Sequence, residues 1–249
     1  MKGLAIGLVG MMMCFCVQAS IVMTGNRIIY PADSREVSVQ LTNRGDVPGV
    51  VQVWLDDGDA QSVPQTAAAP FVTTPPVFRM AAHAGQTVRL RYIGKPVAQD
   101  RESLWWFNFI QIPPINKDAQ NDNQLLVLVR SRVKVLVRPK GLVGSPLEMA
   151  NTSRIWLQNG KLHLRNNSGF YLALSSLDVS GAGKKQRIQS ETIAPWATMS
   201  WPAKISQLND AQMRWINDQG ASLNGRVALE KQDNVCLLYT SDAADDRIS

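Results

Sequence analysis

Leu125-Leu-Val-Leu-Val-Arg-Ser-Arg-Val-Lys-Val-Leu-Val-Arg-Pro139 is a long β-type run whose first half is apolar and whose second half alternates apolar with basic residues. Just before it, across a short polar loop from Ile115 to about Gln124, stands Arg101-Glu-Ser-Leu-Trp-Trp-Phe-Asn-Phe-Ile-Gln-Ile-Pro-Pro114. A strand kept wholly inside one domain seldom changes character halfway along. This one reads as a strand made to be shared.

Working outward, strand signals dominate and helix signals are nearly absent. Val37 to Leu41 alternates with polar residues, and Val50 to Leu55, Thr87 to Ile93 and Leu104 to Ile112 are rich in β-branched and aromatic residues between Gly, Pro, Asn and Asp. From Pro139 to Pro146 two prolines and two glycines break the rhythm, which marks a domain boundary. Strands then resume. Ile155 to Gln158 and Lys161 to Leu164 flank Asn159-Gly160, the dipeptide that fits the positive φ angles of a type I′ hairpin turn. Further strands are expected at Phe170 to Val179, Gln186 to Ile193, Met199 to Trp201, Arg214 to Asn217 and Arg226 to Glu230. The fold class is therefore all-β.

Both ends are expected to lie outside the folded protein. Residues 1–19 read as a signal peptide, with Lys2 before an apolar Leu4–Val17 segment and a small-residue cleavage pattern at Val17-Gln18-Ala19. The segment is shorter than the ~20 residues of a spanning helix, so no membrane insertion is expected. Residues 236–249 begin Cys-Leu-Leu-Tyr-Thr-Ser-Asp-Ala-Ala-Asp-Asp and resemble translated sequencing-adapter read-through, a probable artefact tail. The domains are thus placed at 20–140 and 141–235.

The 249-residue chain carries a formal charge of +6 and stays basic without these ends, yet has no run of Lys or Arg. Such a balance suits acidic or carboxylate-bearing partners and is no nucleic-acid footprint. Cys14 and Cys16 fall in the leader and Cys236 in the tail, so neither a disulfide nor a thiolate metal site is expected. His83 and His163 are too scattered for a metal site or a nucleophile's base, and no catalytic or phosphate-binding motif is present. Arg44-Gly45-Asp46 reads as turn chemistry, Asp56-Asp57-Gly58-Asp59 as a hairpin tip without the closing glutamate of a calcium loop, and Trp105 to Phe109 as core packing.

Arg101–Pro114 and Val133-Lys-Val-Leu-Val-Arg-Pro139, with Arg27 in Asn26-Arg-Ile-Ile-Tyr-Pro31, Thr74-Pro-Pro-Val-Phe-Arg79 and Ile216-Asn-Asp-Gln-Gly220, resemble the signature of the periplasmic chaperones of the chaperone–usher pilus pathway, the PapD-like family. The resemblance covers essentially the whole chain between leader and tail. It implies two immunoglobulin-like β-sandwich domains arranged at an angle with a cleft between them, a periplasmic location and no catalysis. Its partners would be pilin (fimbrial) subunits, each lacking its final strand, and an outer-membrane usher. No cofactor is implied, and a self-capping homodimer stays open as the state of the free protein. Trp105-Trp106 departs from the family pattern, where a smaller aromatic pair is more usual.

Carried over residue by residue, the resemblance gives Arg27 and Lys134 the subunit's C-terminal carboxylate. The alternation along the strand separates Lys134, Arg132, Arg130, Leu128 and Leu126 from Val133, Ser131, Val129, Val127 and Leu125. The resemblance places the groove-filling donor residues on the face opposite the lysine, hence Leu125, Val127 and Val129. Glu102, Arg138 and Asp218 match an interdomain salt-bridge network, and Thr74-Pro75 a turn that can be cis. The short Ile115–Gln124 loop and the lack of a cysteine pair resemble the short-loop subclass. The competing readings are a two-domain immunoglobulin-like structural or adhesive surface protein, which would need an incomplete sandwich where residues 20–139 offer a full set of strands, and a secreted hydrolase, which would need a catalytic constellation.

Overall fold

The computed structural model describes residues 21–114 and 128–230. Leu125 and Val127, the leader at 1–19 and the tail at 236–249 lie outside them. The chain divides into two compact units. The first runs to Pro146 and takes in two short segments from later in the chain, Gly169–Tyr171 and Ile216–Ser222.

The first unit holds β1 (Ile21–Met23), β2 (Arg27–Pro31), β3 (Val37–Asn43), β4 (Gly49–Asp56), β5 (Phe71–Thr74), β6 (Val77–Met80), β7 (Gly85–Tyr92), β8 (Ser103–Ile112) and β9 (Val129–Arg138). They form two sheets, ordered β1-β3-β7-β5 and β2-β9-β8-β4-β6. Every neighbouring pair is antiparallel except β2 and β9, which run parallel with Arg27 opposite Lys134 and Pro31 opposite Arg138. Alternate residues of each strand meet in one core: Val39 and Leu41, Val51 and Val53, Val88 and Leu90, Phe107 and Phe109, Val135 and Val137. Tyr30 fixes β2 in place, because its hydroxyl lies 3.1 Å from both the Tyr92 N–H, which it accepts, and the Ser34 carbonyl, to which it donates.

The second unit carries a short helix, α1 (Met149–Thr152), then β10 (Arg154–Gln158), β11 (Lys161–Arg165), β12 (Leu172–Gly181), β13 (Lys184–Ile193), β14 (Thr198–Pro202), β15 (Asp210–Ile216), β16 (Ser222–Arg226) and β17 (Ala228–Leu229). Its sheets are ordered β14-β11-β10-β17 and β13-β12-β15-β16. Ile155, Leu162, Leu164, Leu174, Leu177, Met213 and Trp215 are buried. The β10–β11 hairpin turns at Asn159 (φ 49°) and Gly160 (φ 70°), the left-handed pair that the Asn-Gly dipeptide predicts. Each unit is a two-sheet, immunoglobulin-like sandwich.

The Thr74–Pro75 bond is cis. Arg44-Gly45-Asp46 is a turn, its Gly45 N–H bound by the Asn43 side chain at 3.0 Å. Two expectations are corrected. The tip after β4 begins at Asp57, since Asp56 is fully buried at the strand's end. Trp106 is not core packing: Phe107 and Phe109 point into the sandwich, so the strand's two-residue period turns Trp106 and Asn108 to the outer face of the sheet.

Candidate functional site

The outer face of the five-stranded sheet is built from rungs that strand register sets. One rung runs Arg27 (β2), Lys134 (β9), Trp106 (β8), Asp56 (β4), and the next runs Arg132, Asn108, Trp54. Parallel pairing thus sets side by side two cations far apart in sequence. The Arg27 guanidinium donates to neutral groups, the Ile216 carbonyl at 3.0 Å and the Asn26 side chain at 3.1 Å. Burial disfavours its charge, partly offset by Asp218 and Glu102. The Lys134 ammonium is likewise held below the ordinary lysine range, first by burial and then by the charge of Arg27. Two half-buried like charges on one rung gain from an arriving anion, and a carboxylate fits because each charge-assisted hydrogen bond to it contributes ~1.5–3 kcal/mol.

Four residues below Lys134, Arg138 organises a second cluster. Its Nε donates to Glu102 at 2.7 Å, and its two Nη atoms grip both oxygens of Asp218 at 2.8 and 3.0 Å. The other Glu102 oxygen accepts the Tyr171 N–H at 2.7 Å, and the guanidinium lies 5.1 Å from the centre of the Phe170 ring. Burial works against the Arg138 charge, and the hydrogen bonds and charges of Asp218 and Glu102 more than offset it. For Glu102 burial outweighs its partners and leaves the carboxyl above its usual value. The three residues picked from the sequence therefore converge. All belong to the first unit, to which this cluster ties the segments Gly169–Tyr171 and Ile216–Ser222.

Toward its other end β9 loses neighbours. Its pairing with β2 stops at Lys134, while that with β8 continues to Gln111 opposite Val129. Among the described residues, no strand pairs with the β2-side edge of β9 from Val129 to Val133. Val129 lies on the side of the sheet that carries Val133 and Val135, yet it is 47% exposed because the core ends below it.

Sequence reasoning missed what occupies the outer face beside this edge. Asp56 accepts two bonds from Arg132, one from the Asn108 amide at 2.7 Å and one from the Gly58 N–H at 2.8 Å. Arg130 binds Asn108 at 2.7 Å and the Ala60 carbonyl at 3.0 Å. Burial pushes the Asp56 carboxyl up, and these donors together pull it below the usual carboxylate range. Arg130 lies over Trp54 at 4.9 Å and Arg132 over Trp106 at 4.1 Å. The signal was the alternation itself, counted from Phe107 rather than from the aromatic cluster as a block.

Among the described residues there is no cluster suited to a metal ion, and no helix long and apolar enough to cross a membrane. The sandwiches and the site placed on the first of them are those of a pilus-assembly chaperone. Residues 20–143 match the N-terminal domain of the PapD pili and flagellar-assembly chaperones, and residues 148–226 match the PapD C-terminal domain. The chain belongs to this family of periplasmic, non-enzymatic proteins.

Among its relatives, Chaperone protein MrkB of Klebsiella pneumoniae is 33% identical over 216 residues, spanning 85% of this chain and 92% of MrkB. Chaperone protein FimB/FhaD of Bordetella pertussis is 35% identical over 208 residues, 82% of this chain and 85% of that protein. Of solved structures, the YadV chaperone of Escherichia coli K12 superimposes with a TM-score of 0.69 at 33% identity, covering 84% of this chain and all of YadV. The SafB chaperone of Salmonella enterica, solved in complex with the SafA pilin, gives 0.71 at 25% identity, covering 85% and 97%.

Proposed function

We propose that this protein captures pilin subunits by lending them the start of its β9 region as a missing strand, holds their C-terminal carboxylate between Arg27 and Lys134, and passes them to an outer-membrane usher. The observation that carries this reading is the lane beside β9. The chain's own β2 fills that lane only from Arg27 onward, and the lane ahead of it lies open against Val129–Val133. A strand laid there with its terminal carboxylate at the Arg27–Lys134 rung runs parallel to β9, and its backbone completes the open edge. Leu125, Val127 and Val129 then fill the client's groove, each burial contributing ~1.5–3 kcal/mol before ordering costs. The carboxylate sets the register, since a one-residue slip turns every donor side chain away.

Around this core the finer assignments follow. The domains are 20–140 and 141–235, and Glu102, Arg138 and Asp218 fix the geometry of the segments around Arg27. The short loop before the donor strand places the protein in the short-loop subclass. In the free protein a second copy serves as a stand-in client, giving a self-capped homodimer. The test is co-expression with a pilin: Lys134→Ala abolishes recovery of the complex while the chaperone stays folded, and recovery at the wild-type yield overturns the anchor.

A further inference from the structure

Lys134 has a flexible four-carbon stem and a neighbouring cation on its own rung, which repels its ammonium. The face of the Trp106 indole lies 5.6 Å from the Lys134 Nζ, and the guanidinium of Arg132 lies 4.1 Å from the centre of the same ring. Both cations meet the negative π face that attracts them. Arg132 is not free to swing, because it is doubly bonded to the fully buried Asp56. Asp56 is pinned in turn by Asn108 and the Gly58 N–H. A continuous path of contacts therefore leads from a buried carboxylate, through a guanidinium and an indole, to the ammonium of the anchor.

We propose that Trp106 is a positioning residue for Lys134, holding the ammonium toward the place where the client carboxylate arrives, and that Asp56 acts through Arg132 to hold the indole. Trp106 touches no client group in this scheme. Its contribution is to pre-order a side chain that would otherwise lose its freedom on binding. The inference deepens the carboxylate-anchor reading above and rests on it.

The experiment measures binding of two synthetic peptides with the sequence of a pilin's C-terminal strand, one ending in a free carboxylate and the other in an amide. Their affinity ratio isolates the anchor from the strand contacts. Wild-type protein prefers the carboxylate. Trp106→Met reduces that preference about fivefold and leaves the amide affinity as it was, the loss of a cation–π contact. Trp106→Tyr, which keeps an aromatic face, restores most of it. Asp56→Asn narrows the preference without touching the ring and serves as the second variant if Trp106→Met does not fold. Equal wild-type affinity for the two peptides overturns the anchor reading and this inference with it. A wild-type preference that survives undiminished in Trp106→Met, or in Asp56→Asn where Trp106→Met does not fold, overturns the positioning role alone. Equal loss of both peptides, unrestored by Trp106→Tyr, also overturns it, since that marks damage to the sheet.

Discussion

Arg27 and Lys134 stand opposite one another on the parallel ladder between β2 and β9, two cations of which each is disfavoured by burial and Lys134 further by its neighbour. Removing either therefore leaves the other better solvated and the free protein no less stable. Lys134→Ala and Arg27→Ala are each expected to weaken pilin binding by roughly ten- to a hundredfold, one charge-assisted bond's worth. Urea midpoints equal to or above wild type, with complex yield lost, form the expected pair of results.

The same rung gives a pH dependence with a definite sign. Anchoring needs charged Lys134, whose pKa lies below the ordinary lysine value of ~10.4. The preference for a carboxylate peptide over its amide is thus complete at neutral pH and declines as pH rises through the lowered pKa, earlier than for an exposed lysine. Stability of the free protein moves the other way in that window, because the unfolded chain binds more protons than the native one. A preference that stays flat up to the ordinary lysine value contradicts the reading.

Asp56 behaves oppositely. Its folded pKa is depressed, so its contribution is present above the unfolded value of ~3.9 and is lost only as pH falls through the lower folded value. Asp56→Asn is expected to cost about 1.5–3 kcal/mol at neutral pH, since charge is removed while an acceptor remains. The difference in urea midpoint between wild type and variant shrinks only below about pH 4. A difference already absent at neutral pH contradicts the account.

Glu102→Ala strips a carboxylate that is 2% exposed from Arg138 and from the Tyr171 N–H. Breaking one side of such a buried pair costs about 3–5 kcal/mol. Asp218→Ala costs less, because the Asp218 side chain is 21% exposed and water replaces it. Chemical denaturation of the two variants, expected in that order, checks the ranking.

For the donor strand, Val127→Asp and Val129→Asp are each expected to abolish protection of a bound pilin from proteolysis, because an apolar groove would have to desolvate a charge. Arg130→Gln on the opposite face leaves protection in place. Loss of protection in the Arg130 variant but not in the valine variants reverses the assigned faces.

Much of this architecture was legible in the sequence, and the exceptions have physical causes. The long strands announced themselves because period-two patterning over many residues is hard to mistake, as at β3, β4, β7 and β8. Brief strands such as β1, β5 and β6 have too few residues to show a period, and β16 carries Asn224 and Gly225 within its five residues. Arg27, Lys134, Glu102, Arg138 and Asp218 were found by resemblance and not by spacing, because only the folded ladder brings residue 27 beside residue 134. Asp56 escaped because a carboxylate before Asp57-Gly58 looks like turn chemistry, and nothing local reveals the arginines that reach it from β9. Trp106 escaped because a block of aromatics reads as core until its alternate members are assigned to opposite faces.

The parallel strand β2 also limits what is accepted. It begins where the open lane ends, with Arg27 as its first residue. A polypeptide laid in the lane meets the chaperone's own backbone there, so a segment that continues past the Arg27–Lys134 rung has nowhere to go. Only a chain that stops at that point fits. The site therefore inspects length before it inspects side chains. An internal stretch of identical sequence is turned away, as is any client still attached at its far end to whatever is feeding it in. Admission is restricted to finished molecules, and the doorkeeper is the second strand of the chaperone itself.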